Sequence, residues 1–164
     1  MSADRATVSV TVSCDRATAF SIFSEETDLW WCKGPRYRIA GRSPGVLRFE
    51  PGEGGKLVES FDTASGPQEF VTGRVIAWNP PQRIQFEWRG VNYAPGESTL
   101  VEVLFDETPT GTRVTVHHSG WAMLPPDHPV RHGKEDVEFI RNLGMWWAGL
   151  LTSLRERIAS RVPS

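Results

Sequence analysis

The sequence predicts an α+β fold, an antiparallel sheet of about six or seven strands wrapped on one long C-terminal helix. Three observations predict it. Residues 135–162 carry a single apolar stripe at helical period, with Phe139, Leu143, Trp147, Leu150, Leu154 and Ile158 recurring at steps of three and four. The middle of the chain is a run of about six strand-like segments joined by short turns, which implies antiparallel neighbours. The helical segments lie outside that run, which favours α+β over a doubly wound sheet. Ile140, Trp146 and Leu151 widen the helix stripe beyond a coiled-coil seam. So broad an apolar face needs a large partner surface, and the strands offer it. A ligand site is expected between the two.

Residues 7–13 alternate Val8, Val10 and Val12 with small polar residues, a half-buried strand. Asp15 supplies an N-cap for a short helix carrying Ala17, Phe20 and Phe23. After a polar break at 24–28, Leu29, Trp30 and Trp31 read as a second short helix or turn ending near Gly34 and Pro35. Residues 37–46 stay open between a short strand at 37–39 and plain loop. A strand at 47–50 leads into the dense turn signal of residues 51–55. Residues 57–61 form the next strand and 63–67 the next turn. Residues 70–78 are a longer strand, ended by Asn79, Pro80 and Pro81 because prolines cannot donate to a ladder. Residues 83–88 alternate Ile84, Phe86 and Trp88 against Arg83, Gln85 and Glu87. A loop at 90–97 precedes the strand at 99–105, with Val101, Val103 and Phe105 on one face. Residues 109–111 turn the chain into the last strand, 112–119. The irregular segment 121–133, with three prolines and two histidines, then leads into the long helix. It is placed to gate a cavity or to cover a sheet edge.

The 164 residues suit a single domain, 1–164, with a real core. A formal net charge of −2 gives no electrostatic reason to expect nucleic acid. No apolar run approaches the ~20 residues of a membrane span. The polar N-terminus lacks an apolar signal core, and Cys14 and Cys32 form no CxxC pair. A cytoplasmic protein without a disulfide framework or structural zinc is expected. No phosphate-cradling glycine motif and no nucleophile elbow occurs, so neither cofactor nor covalent catalysis is expected.

Short motifs along the chain resemble one family. Residues 17–20 (Ala-Thr-Ala-Phe) resemble its first-helix start, and Leu29-Trp30-Trp31 its second helix. Residues 51–55 resemble its turn before the third strand. Gly73-Arg74-Val75 with Trp78, Asn79, Pro80, Pro81, Arg83, Ile84 and Trp88 resembles its central hairpin, the most specific piece. Gly111 to Val114 with His118 and Gly120 resembles a strand end, and Trp147 to Leu150 with Leu154 the closing helix. Together these resemble the START-like (SRPBCC, Bet v 1-like) superfamily. Within it they resemble the small proteins homologous to the C-terminal domain of the Hsp90 ATPase activator. The resemblance implies a helix-grip fold, in which a curved sheet grips the long helix over a cavity. Loops 90–97 and 125–133 depart from the family pattern. Relatives include lipid and hormone carriers, cyclases and aromatases, and chaperone activators, so fold alone does not give function.

Candidate site residues follow from strand alternation. Trp88, Phe86, Phe105 and Trp147 are expected to line the cavity, with Tyr93 near its mouth; the plain alternative for each is core packing. Trp146 and Trp147, about 100° apart on the helix, are not expected to face one point. His117 and His118 point to opposite faces, so they cannot share a metal. His118 shares the face of Val114 and Val116 and is the better pocket histidine, able to orient a ligand or move a proton. Glu59 is the acid whose alternation carries it inward, and an inward Arg48 or Arg74 beside it would make a polar patch. The leading expectation is binding of a small hydrophobic or aromatic molecule. A cyclase or aromatase would need a deep polar pair, such as His118 with Glu59 or Arg74. A chaperone-accessory role would need an exposed patch on the outer sheet face. The separate N-terminal domain of the full chaperone activator is not in this chain, which weighs against that role. Homodimerisation stays open.

Overall fold

The computed structural model describes residues 4–40 and 45–161. Seven strands form one antiparallel sheet in the order β1-β7-β6-β5-β4-β3-β2. They are β1 (Ala6–Val12), β2 (Gly45–Phe49), β3 (Lys56–Thr63), β4 (Gly66–Asn79), β5 (Arg83–Trp88), β6 (Thr99–Thr108) and β7 (Gly111–Ser119). Helices α1 (Arg16–Glu25) and α2 (Thr27–Trp30) follow β1, and α3 (Asp136–Arg161) closes the described chain. The sheet curls into a half-barrel around α3, an α+β helix-grip architecture. Asp15 caps α1 by accepting from the Thr18 N–H at 2.8 Å.

Two bulges bend the sheet. Thr72 and Ile76 of β4 are extra residues, with Val58 opposite Val71 but Leu57 opposite Gly73, and Val75 opposite Phe86 but Ala77 opposite Gln85. Gly73 sits between them. A Cβ there would lie 1.7 Å from the Glu87 carbonyl oxygen, so β4 and β5 approach as closely as they do only because this residue is glycine.

The core fills the concave face. Ile84, Phe86, Val101, Val103, Phe105, Val114 and Val116 meet Trp147, Leu150, Leu151, Leu154 and Ile158 of α3, while Phe20 and Phe23 of α1 close one end. Edge-to-face contacts of Phe23 with Phe105 and of Phe49 with Phe86, and a tilted contact of Phe20 with Phe105, hold this interior together. No helix among the described residues is long and apolar enough to cross a membrane.

Several boundaries differ from the sequence expectation. β4 starts at Gly66, not near residue 70, because Thr63 and Gly66 close a tight hairpin, with the Thr63 hydroxyl donating to the Gly66 carbonyl at 2.9 Å. β6 runs on to Thr108, paired with Gly111. The short strand considered at 37–39 is a turn, with the Tyr37 and Arg38 N–H groups both donating to the Gly34 carbonyl. The remainder of that stretch, 41–44, and the expected helix end at Val162 lie outside the described residues. Segment 121–133 contains two single-turn 3-10 helices, Trp121–Met123 and Pro129–Arg131.

Candidate functional site

An open cleft of about 500 Å³ lies at one end of the grip. Phe139, Asn142, Leu143 and Trp146 supply one wall, and their three- and four-residue spacing puts them on one face of α3. Trp88, the last residue of β5, and His118, near the end of β7, form the sheet side. Trp121, Val130 and His132 come from segment 121–133, and Pro35 and Arg36 from the turn after α2. The interior beyond is filled: the neighbouring void, bounded by Trp31, Leu57, Glu59, Thr72 and Trp88, measures about 40 Å³.

Tryptophans do the filling. All six pairs among Trp31, Trp88, Trp146 and Trp147 have ring centroids between 5.2 and 6.1 Å apart. Trp146 and Trp147 thus meet the same two neighbours, contrary to expectation. Their backbone directions diverge, but indole rings are long enough to converge again, here at 90° to each other.

His118 lies beneath the cleft and is 1% exposed. The Trp147 indole N–H donates to its Nδ1 at 3.0 Å. An indole nitrogen only donates, so Nδ1 is the acceptor and the ring proton sits on Nε2, which donates to the Thr99 hydroxyl at 2.8 Å. Burial pushes the imidazole pKa down to about 3. Held neutral, with both nitrogens engaged, His118 is arranged as a structural hub between β6, β7 and α3. The Trp121 ring lies against it, tilted at 45° with centroids 4.6 Å apart, and donates its indole N–H to the His118 carbonyl.

Glu59 is buried on the inner face but meets no arginine. Its carboxylate accepts from the Ile39 and Ala40 N–H groups at 2.9 and 2.5 Å, tying the 34–40 turn to β3. Arg74 lies on the outer face and donates to the Gly54 carbonyl, and Arg48 is an exposed partner of Glu69. The deep polar pair of His118 with Glu59 or Arg74 is therefore not formed. Phe86 and Phe105 are wholly buried in the core, away from the cleft lining. Tyr93 is buried against Trp121, Leu124 and Phe139, just under the cleft, and burial raises its pKa to about 12. Of the eight expected site residues, Trp88 and His118 reach the cleft, and Trp147 stands directly behind His118.

Other contributors gave no sequence signal. Arg38 is buried and makes four hydrogen bonds, to the Asp28 carboxylate at 2.5 Å and to the carbonyls of Asp28, Trp31 and Cys32. The Trp146 indole donates to the Arg36 carbonyl at 2.9 Å, joining the same turn to α3. Loop 90–97 and segment 121–133 hold each other. His128 accepts from the Val130 N–H on Nδ1 and donates from Nε2 to Glu97 at 2.8 Å. The Ala94 N–H, then His128, keep the Glu97 carboxyl below its usual range. Among the described residues, no group of three His, Cys, Asp or Glu side chains could hold a metal ion.

Comparison with known proteins bears on this geometry. The profile of the family described as activator of Hsp90 ATPase homolog 1-like protein matches residues 14–138. No curated protein matches the chain. Among solved structures, protein MLL2253 from Mesorhizobium loti aligns with a TM-score of 0.64 at 16% identity, over 98% of this chain and 99% of that one. A Rhodobacter sphaeroides protein aligns at 0.67 and 18% identity, over 97% and 94%. DynU16, a protein in the dynemicin biosynthetic locus, aligns at 0.62 and 18%, over 98% of this chain and 49% of that one. Identities this low speak to fold alone. With most of its length matched by the family profile, and with a fold shared with these structures, the chain belongs to the activator of Hsp90 ATPase homolog 1-like family.

Proposed function

We propose that the protein binds a small aromatic or hydrophobic molecule in the cleft at the mouth of the grip, and acts as a carrier or sensor of that molecule. The family and fold support a ligand-binding or accessory role. The observation that carries the finer reading is the cleft itself, about 500 Å³ and walled by Trp88, Trp121, Phe139, Leu143 and Trp146. Its size and apolar, aromatic lining with a few polar groups suit a small organic ligand. A binding role is favoured over proton-transfer catalysis because His118, the buried imidazole in the cleft lining, has both nitrogens committed.

The test is a thermal-shift and tryptophan-fluorescence screen against fatty acids, flavonoids, polyketides and sterols. A ligand of the folded state raises Tm by linkage, by about 2.7 kcal/mol of stability at a hundredfold excess over Kd. The reading expects a saturable hit that Trp146→Ala weakens about tenfold, the scale of one lost aromatic contact. A panel without hits, on a protein that unfolds cooperatively, transfers the weight to the accessory, protein-binding role.

A further inference from the structure

The cleft has a one-sided electrostatic rim. Its polar lining is Arg36, His118, His132 and Asn142, with no carboxylate among them. His118 is neutral and already engaged. Arg36 is exposed and forms no ion pair among the described residues. Its guanidinium carbon lies 5.7 Å from the Tyr37 ring centroid, a position that orients the cation without neutralising it.

The backbone presenting Arg36 is held from several sides. Trp146 bonds the Arg36 carbonyl, Arg38 is locked by four hydrogen bonds, and Glu59 takes the next two N–H groups. Gly149 of α3 lets Tyr37 approach, since a Cβ there would lie 2.9 Å from the Tyr37 hydroxyl. Two buried charged side chains and a glycine thus fix a short turn that presents Arg36, without an ion pair among the described residues, in the lining of an aromatic cleft. His132, also in the cleft lining, is held at φ 50°, the one non-glycine with positive φ among the described residues. Such backbone strain persists where the surroundings impose it.

We infer that the cleft selects flat aromatic anions, molecules of two or three fused or linked rings bearing a carboxylate or sulfonate. This rests on the ligand-binding reading above and adds the sign of the ligand's charge. The rings lie against Trp88, Trp121 and Trp146, and the anionic group sits at Arg36 and Asn142. The aromatic walls supply the bulk of the affinity. The guanidinium, carried on a held backbone, selects for charge, because a charge-assisted bond from it is open to an anion and not to a neutral ring. A cationic analogue would face Arg36 with no acid in the lining to receive it.

A matched pair of fluorescent probes tests this: 8-anilinonaphthalene-1-sulfonate and the neutral N-phenyl-1-naphthylamine, which share one ring body. Both are titrated into the folded wild type and into the Arg36→Gln and Trp146→Ala variants, with thermal melts confirming each fold. The expected result is that both probes bind and the sulfonate binds about fivefold tighter, the scale of one solvent-accessible ion pair. Arg36→Gln lowers the sulfonate to the affinity of the neutral probe, about 0.5 M salt shrinks the preference in wild type, and Trp146→Ala weakens both. Equal affinities in wild type, or a preference that survives Arg36→Gln, overturn the charge assignment and leave the cleft reading standing. Failure of folded wild type to bind either probe overturns both.

Discussion

Neutrality at His118 is a stability statement as well as a chemical one. The native state holds the imidazole with a pKa of about 3, against 6.5 for an unperturbed histidine. The unfolded chain therefore takes up a proton that the folded protein refuses. Its contribution is fully present above about pH 6.5 and is lost as pH falls toward 3, with a limiting slope of about 1.4 kcal/mol per pH unit. Urea unfolding of wild type and His118→Gln at pH 7, 6 and 5 checks this. The wild-type slope is expected to be steeper by up to that amount; parallel slopes would remove the argument. Trp147→Phe, which takes the donor from Nδ1 but keeps an aromatic ring, is expected to cost about 2 kcal/mol, from one buried hydrogen bond and a small void. At this scale legibility depended on face. Alternation alone put His118 and Glu59 inward, since their strand neighbours are apolar. Arg38 escaped because a buried guanidinium looks like a surface residue in any hydropathy pattern. Its burial is decided by Asp28, ten positions earlier, and by three carbonyls that no local rule brings together.

Elements were legible where one face is buried and less so where hairpins project. Residues 67–69 of β4 and 106–107 of β6 are exposed polar arms, so they carry no period-two signal, and both strands outran their apolar cores. The bulges at Thr72 and Ile76 are equally silent, although Gly73 between them is not. Gly73→Ala drives a Cβ into the Glu87 carbonyl and is expected to destabilise by about 3 kcal/mol, the upper range for overpacking a rigid site. A melt within 1–2 °C of wild type would show that the two strands can separate there at little cost. The 34–40 turn makes a second case. Arg38→Met removes the cation that gathers α2, the turn and β2, leaving Asp28 with only the Leu47 N–H. The expected cost is about 3 kcal/mol, as for breaking one side of a buried ion pair. Burial works against the Asp28 charge, but the Leu47 amide and Arg38 together hold its pKa below the ordinary value. The ion pair's share of the stabilisation is therefore present at neutral pH and is lost on acidification through the carboxylate range, where the gap between wild type and Arg38→Met should narrow to what the three carbonyl bonds contribute.

For the molecule as a whole, the question is where a helix-grip protein keeps its free volume. Here Trp31, Trp88, Trp147 and a layer of phenylalanines occupy the space between sheet and α3, so the void bounded by Trp31, Glu59 and Trp88 is about 40 Å³, and the larger cleft lies at the mouth. Segment 121–133 supplies Trp121, Val130 and His132 to that mouth, and loop 90–97 holds the segment through the Glu97–His128 bond. Pairing of that kind depends on contacts thirty residues apart, which is why the strand pattern pointed to Phe86 and Phe105 in the core and missed Trp121, Phe139, Leu143 and Trp146 around the cleft. The division between core and mouth predicts opposite behaviour for adjacent residues. Trp147 is wholly buried, and Trp147→Ala is expected to cost about 4 kcal/mol, through lost burial and a cavity that the curled sheet cannot close over. Trp146 is partly exposed, and Trp146→Ala should cost nearer 1 kcal/mol while removing a wall of the cleft and its bond to the Arg36 turn. Near-UV circular dichroism should lose intensity in both, since each breaks the four-tryptophan cluster, but probe affinity should fall at Trp146 without a matching loss of stability. If instead Trp147→Ala gains a new, larger binding capacity while Trp146→Ala leaves affinity intact, the interior is the ligand space and the tryptophans are its lid. That pair of variants separates a mouth-binding protein from a cavity-binding one by two melts and two titrations.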